Sequence, residues 1–199
     1  MSALPGTTGR RRIYLMRHGH VNYFSRQVRE TGDTSLVPLT ELGQAQARAA
    51  GQALAHVTFD RAICSGYPRT EQTAKLALEQ LDTTAPELEY DRRLVEIHGG
   101  GFGPVMEQDD IAAVMTFTFD QAAEPDAKMG PAGEVFGDAM DRAVAGINDL
   151  LNSPNWHTAL VVAHEGINRL ILGWCTGNGL KAIQAFEQDP ACINIIDMD

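Results

Sequence analysis

A chain of 199 residues with 44% hydrophobic content is long enough to bury a full core and reads as one domain. Its 26 acidic and 16 basic side chains leave a net charge of -10, which excludes a general nucleic-acid binder, whose affinity rests on neutralising phosphates. A local arginine cluster that takes a small anion remains compatible with that balance.

The first twelve residues are rich in Gly, Thr and Arg and hold no apolar segment. They read as a disordered leader, residues 1–12, and not as a signal peptide or membrane span. Arg10-Arg11-Arg12 reads as a solvated edge. Ile13 to Met16 reads as a buried strand, followed by Arg17-His18-Gly19-His20. Leu39-Thr40-Glu41 opens an Ala-rich helix through Ala55, with Thr40 as N-cap and Leu42, Ala45, Ala49 and Leu54 near helical spacing. Phe59 to Ser65 is a second strand. Pro68 then sits at a helix start, and the helix runs to Leu81.

Leu88 to Tyr90 is a third strand candidate, and the glycines at 99–101 and 103 with Pro104 form a loop. No clear strand feeds that loop, so it does not read as a dinucleotide fingerprint. Between about 105 and 133 the pattern weakens, with a short helix candidate from Ile111 to Phe119, which suits a lid or insertion. Glu134 to Leu151 regains helical periodicity. Thr158 to Ala163 is a strongly apolar strand ending in His164-Glu165-Gly166, Ile167 to Trp174 is a helix, and Ala191 to Met198 is the last strand. Strands alternating with helices predict a three-layer α/β/α sandwich with a mostly parallel central sheet. Ligands of such sheets bind beyond the carboxyl ends of the strands, where His18 and His164 fall. Cys64, Cys175 and Cys192 have no CxxC spacing, so they read as buried free thiols in a reducing cytosol.

The chemistry-bearing residues cluster at these strand ends. Arg17 and Arg69 provide planar cations that stay charged at any working pH. His18 provides a ring nitrogen able to attack when neutral, a state that neighbouring cations favour. Glu96 provides a carboxyl group that can protonate a leaving alkoxide if burial keeps it protonated. A histidine after a strand is, taken alone, a polar strand end. The shared topology of His18 and His164 with Arg17 and Arg69 reverses that reading. His98 lies close enough in sequence to compete with Glu96 as the acid. His56 and His157 read as surface or packing residues, and Phe24, Tyr67 and Phe102 as core or pocket lining.

Arg17-His18-Gly19, then Ser65-x-x-x-Arg69-Thr70-x-x-Thr73-Ala74, then the late strand followed by His164-x-Gly166, in that order, resemble the histidine phosphatase superfamily, in the branch that also holds cofactor-dependent phosphoglycerate mutases. The resemblance runs from about Ile13 to the C-terminus. It implies a phosphoglycerate mutase-like α/β fold over residues 13–199 and a phosphomonoesterase acting through phospho-His18. Arg17, Arg69 and His164 hold the phosphoryl oxygens and Glu96 supplies the proton. Gly19, His20 and Asn22 complete the expected substrate-facing set. His20 and Val21 depart from the Glu or Gln, then Ser or Thr, usual in the family. The short stretch between Glu96 and His164 favours hydrolysis over intramolecular transfer, since water must reach the phosphohistidine.

No metal or other cofactor is expected, because the arginines supply the positive charge. The expected substrate is a small phosphorylated molecule, with a phosphoprotein as the wider alternative. Neither nucleic acid nor membrane is an expected partner, a homodimer stays open, and the expected location is cytoplasmic. The competing readings are mutase-type phosphoryl transfer, a metal pair formed by His18 and His20, and a phosphate-binding relative without turnover.

Overall fold

The computed structural model describes residues 9–100, 119–130 and 132–198. Five strands form one sheet: β1 (Arg11–Arg17), β2 (Arg61–Cys64), β3 (Leu88–Tyr90), β4 (Thr158–Ala163) and β5 (Ile193–Met198). Their order is β3-β2-β4-β1-β5. The first four are parallel, and β5 runs antiparallel to β1.

The helices are α1 (Arg26–Thr31), α2 (Glu41–Ala53), α3 (Pro68–Leu78), α4 (Phe136–Asn152) and α5 (Glu165–Cys175). Alternation along the strands sorts the core into two layers. Ile13 and Leu15 of β1 and Ala159, Val161 and Ala163 of β4 face α4 and α5, with Phe136, Ile147, Ile167 and Leu170. Tyr14, Met16, Leu160 and Val162 face the other way, onto Ala74, Ala77 and Leu78 of α3 and onto Leu54. The sheet is thus covered on both faces, as the α/β/α reading expects. No helix among the described residues is long and apolar enough to cross a membrane.

Some local expectations change. β1 starts at Arg11, so Arg11 and Arg12 belong to the sheet and not to the leader. Arg12 grips Asp197 of β5 through Nε at 2.7 Å and Nη2 at 2.8 Å, and the Arg11 guanidinium lies over the Trp156 ring. Residues 1–8 fall outside the described residues, as do 101–118, which hold Phe102 and most of the expected lid and its helix.

On α2 the buried stripe is Gly43, Ala47 and Gly51, while Leu42 is 56% exposed. Close backbone approach decides this: a Cβ on Gly51 would stand 2.5 Å from the Ala77 carbonyl oxygen. The smallest residues therefore face inward, and leucine is displaced to the surface. Thr40 does cap α2, accepting from the Gly43 N–H at 3.1 Å, and Pro68 opens α3. All three cysteines are free; Cys64 is buried, and Cys175 and Cys192 are partly so.

Candidate active site

β1 and β4 are neighbours that end together. Arg17 pairs in register with Ala163, and the His18 N–H donates to the Ala163 carbonyl at 3.1 Å. This register sets His18 and His164 side by side, with ring centroids 5.2 Å apart and edges turned to faces. His18 Nδ1 lies 2.7 Å from the Gly19 carbonyl oxygen. A carbonyl only accepts, so the proton of the neutral ring sits on Nδ1 and the lone pair on Nε2. Burial first, and then the charge of Arg69, hold the His18 imidazole well below its ordinary range. The ring is therefore neutral at physiological pH, with its Nε2 lone pair free.

Arg69 enters from the first turn of α3, behind β2. It is only 1% exposed. Its Nε donates to His164 Nδ1 at 3.3 Å and its Nη1 to the Thr34 carbonyl at 2.8 Å. The guanidinium carbon lies 4.8 Å from the centre of the Tyr67 ring and 5.7 Å from that of Tyr23. It makes no ion pair among the described residues. Because Arg69 donates to Nδ1, the proton of His164 is on Nε2, which donates to Ser65 Oγ at 2.8 Å. Thr70 lies 2.9 Å further on and donates to the Tyr67 carbonyl. Burial, then Arg69, keep His164 well below its ordinary range as well. His164 thus orients Arg69, and the Ser65–Thr70 pair orients His164.

Glu96 follows a 3-10 turn, Arg92–Leu94, beyond β3. Its carboxyl oxygens accept from the Ile97 N–H at 2.9 Å and, at the start of α5, from the Gly166 N–H at 3.2 Å. Burial nevertheless dominates and raises its pKa above the usual carboxylate range. Arg142 of α4 braces this segment, donating to the carbonyls of Arg93 (2.6 Å), Val95 (2.8 Å) and Glu96 (3.3 Å). Arg17 points to the other side. Its Nη1 donates to the Gln188 carbonyl, its Nη2 pairs with Glu165 Oε2 at 3.1 Å, and its buried Nε has no hydrogen-bond partner among the described residues.

The family model described as the histidine phosphatase superfamily (branch 1) matches residues 13–199. The chain belongs to the histidine phosphatase superfamily. A curated relative, an adenosylcobalamin/alpha-ribazole phosphatase of Salmonella typhi, is 26% identical, covering 94% of this chain and 90% of its own. An acid phosphatase of Mycobacterium tuberculosis is 32% identical, covering 81% of this chain and 73% of its own. Among solved structures, a putative alpha-ribazole-5'-P phosphatase of Escherichia coli superposes with a TM-score of 0.72 at 27% identity, covering 95% of this chain and 91% of that one.

Within this superfamily member, the other expected residues divide. Gly19 serves packing: its N–H donates to Thr73 Oγ1 at 3.0 Å, and a Cβ there would stand 2.4 Å from the Gly43 carbonyl oxygen. The backbone that Gly19 admits is that of α2. The exposed His20 places Nδ1 2.9 Å from Thr40 Oγ1. The Nδ1 atoms of His18 and His20 thus turn to different partners. Asn22 is exposed and accepts from the Phe24 N–H at 2.9 Å, closing a local turn. His98 is exposed beside Glu134, with Nδ1 3.2 Å from Oε2. That carboxylate also accepts from Arg142, at 2.6 and 2.8 Å.

Sequence reasoning missed Tyr23, whose Oη lies 3.5 Å from His18 Nε2. Burial raises the pKa of its phenol, so it stays protonated and can donate. Only the fold of the 20–25 turn brings it there. Glu165, to which sequence reasoning gives no role, bridges Arg17 and Arg169, with 3.1 Å on each side.

Proposed function

We propose that this chain hydrolyses phosphate monoesters by passing the phosphoryl group through Nε2 of His18. The observation that carries this is the juxtaposition of a neutral, Nδ1-protonated His18 with the buried, uncompensated charge of Arg69. Phosphoryl transfer depends mainly on positioning and on electrostatics that need no reorganisation. In the first half, the Nε2 lone pair bonds to phosphorus as the ester P–O bond breaks. The protonated Glu96 gives its proton to the departing alkoxide. In the second half, the Glu96 carboxylate takes a proton from water, water oxygen bonds to phosphorus, and the N–P bond returns its electrons to His18. The products are the alcohol and inorganic phosphate.

Arg69, with His164 behind it, meets the phosphoryl oxygens. The Tyr23 hydroxyl donates to one of them, and the unpaired Arg17 Nε–H offers a further donor. The positive charge comes from guanidinium groups, and no step runs through a metal. Phosphate release from p-nitrophenyl phosphate, measured with EDTA present, tests the reading. Wild type is expected to turn over and His18→Ala to fall by about 10⁴-fold or more with its fold retained. Full activity in His18→Ala, or complete loss with EDTA, overturns the reading. A mutase-type reaction differs in giving an isomeric ester instead of free phosphate.

A further inference from the structure

Beside the transfer centre lies a cavity of about 440 Å³ whose wall includes Arg17, Glu165, Arg169 and Phe119, together with Asp120, Gln184 and residues 187–189. It shares Arg17 and Glu165 with the strand ends that carry His18 and His164. Its size suits a small organic group. Its charge is uneven: two guanidinium groups face four carboxylates, those of Asp120, Glu165, Glu187 and Asp189, a difference of two negative charges. Glu165 engages one end of each cation, Arg17 Nη2 and Arg169 Nη2 at 3.1 Å each, while their buried Nε–H groups have no partner among the described residues. Arg169 is further fixed over the Phe119 ring, 4.6 Å from its centre. Asp120, Glu187 and Asp189 make no ion pair among the described residues, so the remaining field in the cavity is negative.

Resting on the phosphatase reading, we propose that this cavity receives the alcohol of the substrate ester. Glu165, Glu187 and Asp189 select esters of uncharged, hydroxyl-bearing alcohols and reject those that carry a second anionic group. Hydroxyl groups donate to the carboxylate wall. A second carboxylate or phosphate meets like charges, and Glu165 already neutralises the Nη2 ends of the two guanidinium groups. Glu165 is thereby a specificity residue, and its charge also reaches Glu96 and Tyr23 at the transfer centre.

The test compares glycerol 3-phosphate with 3-phosphoglycerate, which place a hydroxymethyl group and a carboxylate at the same position. The expected wild-type kcat/KM ratio favours glycerol 3-phosphate by about tenfold or more, and 0.5 M salt shrinks it by screening. Glu165→Gln closes the gap by about tenfold, chiefly through KM for the acid. The double variant Glu187→Gln, Asp189→Asn narrows it without touching Arg17. Equal or faster turnover of 3-phosphoglycerate by wild type overturns the inference, as does a ratio that neither variant moves. p-Nitrophenyl phosphate run in parallel separates the two levels. Its turnover with an unmoved ratio removes the subsite and leaves the phosphatase standing, whereas no turnover of any of the three esters removes both.

Discussion

The two arginines of the site hold their charge in different ways. Arg69 is buried among a neutral imidazole, a backbone carbonyl and two aromatic faces. Arg17 is paired with Glu165 and tied to the Gln188 carbonyl. A buried cation without a counter-ion costs several kcal/mol, by order of magnitude, even after relaxation. That same lack of a partner leaves its field available to an incoming dianion. A paired cation costs the fold less and offers the substrate less. On the proposed reading, Arg69 offers its whole charge to phosphoryl transfer, while Arg17 shares its charge with Glu165 at the cavity wall.

Replacing the two in turn is the strongest way to break this distinction. Arg69→Met is expected to lower kcat/KM by about 10³-fold. Its Tm should stay level or rise, because an uncompensated charge leaves the core, and inorganic phosphate should no longer raise that Tm. Arg17→Met is expected to lower kcat/KM by only about 10- to 100-fold and to lower Tm, because it leaves Glu165 with one cation fewer. Calorimetry beside kinetics checks both. Equal activity losses, or a Tm loss in Arg69→Met alone, would erase the difference.

Glu96 sharpens the picture from the acid side. Glu96→Gln is expected to lower kcat for alkyl esters by about 10²-fold, and to affect p-nitrophenyl phosphate less, since that leaving group needs little protonation. In wild type, alkyl-ester activity should fall as pH rises through the raised Glu96 pKa. The stability sign follows. A folded-state pKa raised above the unfolded value favours folding fully below the unfolded value, and that contribution is lost as pH rises through the folded one. Glu96→Gln should therefore match wild type in urea denaturation near pH 4 and exceed it near pH 8.

The smallest expected effect comes from Gly166. A Cβ there would lie 2.7 Å from Ile97 Cδ1 and 2.8 Å from Glu96 Oε1. Both are side-chain ends that can shift, so Gly166→Ala should cost about tenfold or less on alkyl esters. An aryl ester should be nearly indifferent to it, which steady-state kinetics on the two ester types will show.

Much of this was legible in the sequence where burial is two-sided. Thr158–Ala163 and Leu88–Tyr90 match their strands end for end, and β1 is found because Ile13 to Met16 is apolar on both faces. Arg17, His18 and His164 follow from those strand ends. What escaped depends on distant chain segments meeting. α1 is six largely polar residues with no apolar run to reveal it. The pairing of Arg17 with Glu165 needs the register of two strands far apart in sequence. The inward stripe of α2 was misplaced because backbone proximity to α3, which no periodicity shows, outranks side-chain hydrophobicity there.

The most direct test of the account is to trap the covalent enzyme. A ³²P-labelled monoester mixed with the protein and quenched in alkali within one turnover should leave label on the chain, stable to base and labile to acid. Peptide mapping should place that label at His18, with none in His18→Ala. Turnover without any acid-labile label, or label on another residue, would contradict it.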